Sequence, residues 1–164
     1  MSSLIKKRIR QDNKKRFQLF QKYHKELIET CGLRTSSKRE QSITFHDLVD
    51  HPETFSWIDI KKDSLWIGFL VIEKVQTEKE EHEMESRYIA EGYILPEFRR
   101  QHLMEKEVLH YLKLHPKTYK LYILNKNLVA QEFWMKTFHK AGYCEAFEER
   151  EITDIDTLYT YRKK

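Results

Sequence analysis

The chain has few of the residues that interrupt regular structure, with four glycines and three prolines among 164 residues. That scarcity excludes a coil-rich or disordered chain and points to long elements joined by polar loops. Cysteine is also scarce. Cys31 and Cys144 lie far apart with no C-x-x-C spacing. They form no disulfide framework, and none of the eight histidines stands at metal-ligand spacing with them, so no metal site is expected. No apolar run approaches the roughly 20 residues of a membrane span. The basic N-terminus lacks a following apolar stretch, so it does not read as a signal peptide. A reducing, cytoplasmic location is expected. No Ser–His–Asp or Cys–His nucleophile pattern is visible.

Aromatics are abundant: nine Phe, nine Tyr and three Trp. A chain of this length forms one domain and buries a sizeable core without staples. Charge is uneven. Residues 1–40 hold twelve Lys or Arg against four Asp or Glu, and the remainder is net acidic. A basic end suits nucleic acid, an acidic partner or a phosphorylated cofactor. No aromatic–basic interleaving or glycine-rich arm accompanies it, so a solvated helix face is expected and nucleic acid is not.

The apolar positions Leu4, Ile5 and Ile9 suggest a short first strand or a frayed lead-in. Asp12 or Asn13 then caps a helix to about Thr30, with Phe17, Phe20, Tyr23, Leu27 and Ile28 as its apolar stripe and Gly32 as its stop. Residues 34–42 read as a polar loop and Phe45 to Val49 as a short helical piece. Phe55 to Ile60 and Leu65 to Val75 read as a hairpin whose second strand is buried on both faces. Residues 76–86 carry five glutamates and read as a solvated link, which suits a cationic substrate only if it borders a cleft.

A strand then ends at Leu95, Pro96 starts a turn, and a helix runs from near Arg100 to about Leu114, with Met104, Val108, Tyr111 and Leu112 facing inward. Tyr119 to Leu124 is a strand. Leu128 to Lys140 is a helix with Trp134 and Phe138 inward, closed by Gly142. Tyr143 to Glu151 and Thr157 to Arg162 are the last strands. The order implies a single α/β domain: a helical part over residues 1–50, then a mixed, mostly antiparallel sheet core over 55–161 flanked by helices. The basic turn between Leu95 and Met104 is a place to hold an anion. A helix start offers free backbone N–H groups and the positive end of the dipole, beside the donors of Arg99, Arg100 and Gln101.

Three local patterns in this order resemble the GCN5-related N-acetyltransferase (GNAT) family. They are the strand-to-helix segment from Tyr93 to Met104, YILPEFRRQHLM; the segment from Asn127 to Trp134, NLVAQEFW; and Ala141-Gly142-Tyr143 before the next strand. The resemblance covers about Phe55 to Tyr161. It implies transfer of an acetyl group from acetyl-CoA to a primary amine, on a small molecule or peptide, by direct attack in a ternary complex. The backbone of Ile94 and Leu95 would pair with the pantetheine arm. Arg99, Arg100, Gln101, His102, Leu103 and Met104 would hold the pyrophosphate. Asn127 would touch the arm from the other side. A homodimer is compatible with the resemblance.

The chain departs from the family pattern at His102 and Met104, where the family has small residues. Met104 reads as a core contact. His102 is either a solvent-facing residue or a donor to the phosphates. Many family members carry a tyrosine acid where this chain has Trp134, which leaves Tyr143, Tyr93 or water to protonate the leaving thiolate. Glu91, within the strand before the turn, is either the general base or a surface carboxylate paired with Arg87 or a lysine across the sheet. Alternation places it with Ile89 and Tyr93. The alternative to an enzyme is an inert GNAT-like binding or regulatory module.

Overall fold

The computed structural model describes residues 3–32, 38–74 and 86–164, and the side chains of 12–32, 44–74 and 86–164. The chain runs through helices α1 (Ser3–Cys31) and α2 (Lys38–Asp50), then strands β1 (Phe55–Lys62), β2 (Leu65–Lys74) and β3 (Ser86–Ile94). A 3-10 turn (Pro96–Phe98) leads to helix α3 (Leu103–Leu114), strand β4 (Thr118–Leu124) and helix α4 (Leu128–Lys140). Strands β5 (Tyr143–Glu145), β6 (Glu151–Ile152) and β7 (Asp156–Lys163) complete it, with a 3-10 turn at Phe147–Glu149. The strands form one sheet in the order β1-β2-β3-β4-β7-β5, with β6 beside β7. Every pairing is antiparallel except that of β3 with β4. The expected α/β architecture with a mixed, mostly antiparallel sheet is therefore present.

The N-terminal segment departs from expectation. It is helical from Ser3, so Leu4, Ile5 and Ile9 belong to no strand, and Asp12 and Asn13 lie inside α1. The Lys and Arg between the apolar residues are good helix formers and carry the helix without an apolar stripe. Gly32 ends α1 as expected, at φ +68°, donating its N–H to the Ile28 carbonyl at 3.1 Å. Helix α2 starts at Lys38, well before Phe45, because its first turns carry no apolar signal. The acidic link from Glu78 to Glu85 lies outside the described residues. At the other end, β5 stops at Glu145, and a 3-10 turn and the two-residue β6 replace the single long strand expected up to Glu151.

The hairpin closes at Asp63 and Ser64, both at positive φ, which matches a two-residue turn whose twist follows the strands. In β2, Ile67 through Ile72 are all buried, as their unbroken apolar run predicts. On one face α1 and α2 pack Leu19, Phe20, Phe45 and Leu48 onto Phe69 and Tyr93. On the other, Met104, Val108 and Leu112 of α3 and Trp134 and Phe138 of α4 cover Leu70, Ile72 and Leu121. Each fully buried ring, such as Phe20, Phe69 and Phe138, stabilises by roughly 1.5–3 kcal/mol. Gly68 is fixed by space, since a β-carbon there would lie 2.3 Å from the Tyr93 carbonyl oxygen.

Candidate active site

Strands β3 and β4 pair only over Ser86–Tyr88 and Thr118–Lys120. Beyond that point they part, while β3 stays paired with β2 as far as Ile94. The Leu95 N–H donates to the Ile67 carbonyl at 2.8 Å, and its own carbonyl accepts from the Phe98 N–H at 2.9 Å. Both backbone groups of Leu95 are thus engaged within the protein. Alternation turns the amide groups of Tyr93 toward β2 and those of Ile94 and Gly92 into the gap. An extended ligand carrying amides can add there as a short strand. Trp134 lines the gap on the α4 side: a β-carbon on Gly92 would meet its Cζ2 at 3.2 Å and Met104 Cε at 3.8 Å.

The gap leads to the turn before α3. That helix starts at Leu103, three residues later than the sequence suggests. Arg100 and His102 both take left-handed φ, +60° and +56°, and cannot extend a right-handed helix. Among the described residues, the N–H groups from Arg100 through Glu105 make no backbone hydrogen bond, and the first helical bond runs from Lys106 to the His102 carbonyl. This row of donors at the positive end of α3 is a place for phosphate oxygens. Arg100 is exposed and has no ion pair among the described residues.

Other side chains of the turn are engaged. Arg99 pairs with Glu26 of α1 at 2.6 Å, donates to the Ile94 carbonyl at 3.1 Å and lies over the Tyr93 ring. Gln101 accepts from Lys62 at 2.8 Å and donates to the Glu97 carbonyl. The His102 side chain projects to solvent, and its Nδ1 meets Glu105 Oε2 at 2.5 Å. The other Glu105 oxygen pairs with Lys140. Lys140 first and His102 second hold the Glu105 carboxyl below the usual range. Met104 is 8% exposed and belongs to the core.

Glu91 lies on the α1 face because of a bulge. Ile72 is opposite Ile89 and Val71 is opposite Glu91, which leaves Ala90 as an extra residue. The bulge reverses the alternation read from sequence. Ile89 packs into the α3/α4 core, whereas Tyr93 packs under α1, on the side of Val71 and Glu91. The Glu91 carboxyl is partly buried and accepts a hydrogen bond from the Tyr23 hydroxyl. Burial pushes its pKa up to about 7, against the lowering effect of that bond. Neither Arg87 nor a lysine is its partner among the described residues; Arg87 bonds to the Tyr111 hydroxyl instead. Sequence periodicity places Tyr23 in the buried stripe of α1 and gives no hint of this contact.

Two expected residues are placed otherwise. Tyr143 has no exposed surface; its ring packs between Tyr119 and Phe138, and the Lys117 backbone, just before β4, faces its hydroxyl. It sits at the end of β4 remote from the gap, in the core. Asn127 caps α4, its Oδ1 accepting from the Ala130 N–H at 3.1 Å, and only its Nδ2 has no partner among the described residues. Tyr93, the other tyrosine considered as acid, is turned toward Glu26, and burial pushes its pKa up to about 12.

No known family's sequence model matches the chain, and no curated protein matches it. Solved structures do. One is PaiA N-acetyltransferase from Thermoplasma acidophilum in complex with coenzyme A, at TM-score 0.61 and 15% identity over 94% of each chain. A GNAT-family acetyltransferase from Streptococcus agalactiae gives 0.66 and 14%, over 94% of this chain and 91% of that one. Diaminobutyrate acetyltransferase from Paenibacillus lautus, in complex with L-2,4-diaminobutyric acid and coenzyme A, gives 0.62 and 10%, over 93% and 89%. At these identities the likeness is one of architecture: the chain has the GNAT fold.

Proposed function

We propose that the protein is an acyl-CoA-dependent N-acyltransferase that moves an acetyl group from acetyl-CoA to a primary amine. The observation that carries this reading is the gap between β3 and β4, where the amide groups of Gly92 and the N–H of Ile94 run into the unpaired donor row at the start of α3, the Ile94 carbonyl being held by Arg99. The bound coenzyme A of the Thermoplasma and Paenibacillus neighbours, and the diamine held by the latter, support the same ligand classes here. Pantetheine amides pair with Ile94 and Gly92, and the pyrophosphate lies on the N–H groups of Leu103 to Glu105 with Arg100 beside them.

Glu91 takes a proton from the acceptor ammonium. The freed nitrogen pair forms the C–N bond to the thioester carbon, whose carbonyl is polarised by backbone N–H groups in the gap. The C–S pair leaves on sulfur. The second nitrogen proton is released, and the thiolate takes one from water. A thiolate whose acid has a pKa of about 8.5 is a stable leaving group that needs no dedicated acid; α4 holds no tyrosine, and Tyr143 of β5 lies remote from the gap. Orientation in the ternary complex supplies most of the rate.

Thermal unfolding with acetyl-CoA tests the reading. At about 100 times its dissociation constant the ligand stabilises by roughly 2.7 kcal/mol. No shift at millimolar acetyl-CoA rejects it. The absence of a tyrosine acid from α4 favours one alternative, a GNAT-like binding module without chemistry. Acetyl-CoA stabilisation with no thiol release across a panel of mono- and diamines selects that alternative.

A further inference from the structure

The structure assigns to Tyr23 the role of positioning residue for the Glu91 carboxylate, an inference that rests on the acyltransferase reading. The two residues are 68 positions apart, and the phenol of α1 donates to Oε2 of a strand carboxylate at the bulge where the gap opens. The Tyr23 ring is itself held in place. It meets Phe69 edge-on at 5.8 Å and Tyr93 at 5.6 Å. A rotamer locked by packing can fix its partner; a loose one cannot. Burial pushes the phenol pKa well above its ordinary value, so it remains a donor at any working pH.

Among the described residues, Oε1 of Glu91 has no hydrogen bond. With one oxygen held, the glutamate loses the rotational freedom of its three torsions, and the second oxygen is left to accept the ammonium proton. The titratable and charged groups around the pair are His24, Cys31 and Glu26 on α1, His24 meeting the Tyr23 ring edge-on at 5.5 Å, and Tyr93 and Arg99 at the end of β3 and beyond. From β2 the facing residues are the apolar Val71 and Phe69. Beyond β4, Lys126 acts on Cys31. Tyr23 is therefore the polar contact, among the described residues, that fixes the place of the base and draws its proton affinity down against the larger effect of burial.

The test uses the full chain labelled with carboxyl-13C glutamate, titrated by NMR without substrate. One carboxyl is expected to titrate near neutrality and to vanish in Glu91→Gln. In Tyr23→Phe the same signal moves roughly one pH unit higher, the scale of one lost hydrogen bond. The acidic limb of kcat/KM for an amine acceptor moves with it, while the high-pH plateau of acetyl-CoA affinity stays unchanged. An unmoved Glu91 titration in Tyr23→Phe overturns the inference. If that variant loses its fold, the Tyr23 Cζ signal in the native chain decides instead: it must shift at the pH where Glu91 titrates and stay flat in Glu91→Gln, and a flat native signal overturns the inference. Failure to bind acetyl-CoA, measured separately, rejects the acyltransferase reading and not the Tyr23–Glu91 contact.

Discussion

Glu105, in the first turn of α3, is ion-paired with Lys140 at the far end of α4. A carboxylate therefore stands among the N–H groups proposed to hold a pyrophosphate. Lys140 and His102 draw it aside, so the turn carries both the anion and the means of neutralising it.

Glu105→Gln is expected to tighten acetyl-CoA binding, because it removes a like charge from the phosphate site. An anion at a helix start interacts by about 0.3–1 kcal/mol, so a gain of roughly two- to fivefold is expected at low salt. Isothermal titration calorimetry reads it, and the gain should shrink as salt rises.

The two arginines of the turn should separate. Arg100→Ala is expected to weaken acetyl-CoA with little change in unfolding free energy, since Arg100 has no ion pair among the described residues. Arg99→Ala is expected to lower stability by up to about 1 kcal/mol, through loss of the contacts to Glu26 and the Ile94 carbonyl. Urea unfolding and calorimetry on both variants check the split.

His102→Gly is expected to raise stability. His102 holds φ +56° with its side chain in solvent. A left-handed non-glycine residue carries strain of roughly 1–2 kcal/mol, partly offset by the entropy glycine loses on folding. The midpoint of thermal unfolding should rise, and acetyl-CoA affinity should not fall. A lower midpoint contradicts the assigned strain.

Glu91 gives stability a pH dependence of defined sign. Its pKa is raised in the folded protein, from an ordinary value of 4.5 to about 7. Between these values the folded state keeps a proton that the unfolded chain has lost. The folded state is therefore favoured most below about pH 4.5 and loses that advantage as pH rises to about 7, a change of up to about 3 kcal/mol. Glu91→Gln should flatten this slope, as urea unfolding at a series of pH values will show.

Much of the architecture was legible in local pattern. Helix α4 lies where its inward residues and Gly142 place it, and the unbroken apolar run of β2 gave its burial on both faces. Two features escaped because they have no local marker. The start of α1 is built from Lys and Arg, which favour helix without an apolar stripe. The bulge at Ala90 reverses the alternation that had grouped Ile89 with Glu91. The site was legible as a turn and a strand end, but not in its partners. Tyr23 with Glu91, Arg99 with Glu26 and Glu105 with Lys140 are separated by 68, 73 and 35 positions. Periodicity does not pair residues at such distances; topology does.

The seat of coenzyme A between β3 and β4 is the claim most directly open to measurement. Backbone amide NMR of the labelled chain, titrated with acetyl-CoA, reads this residue by residue. The largest shifts are expected at Gly92, Ile94 and Leu103 through Glu105, with Arg100 beside them. Saturating shifts elsewhere, or none at millimolar ligand, would contradict it.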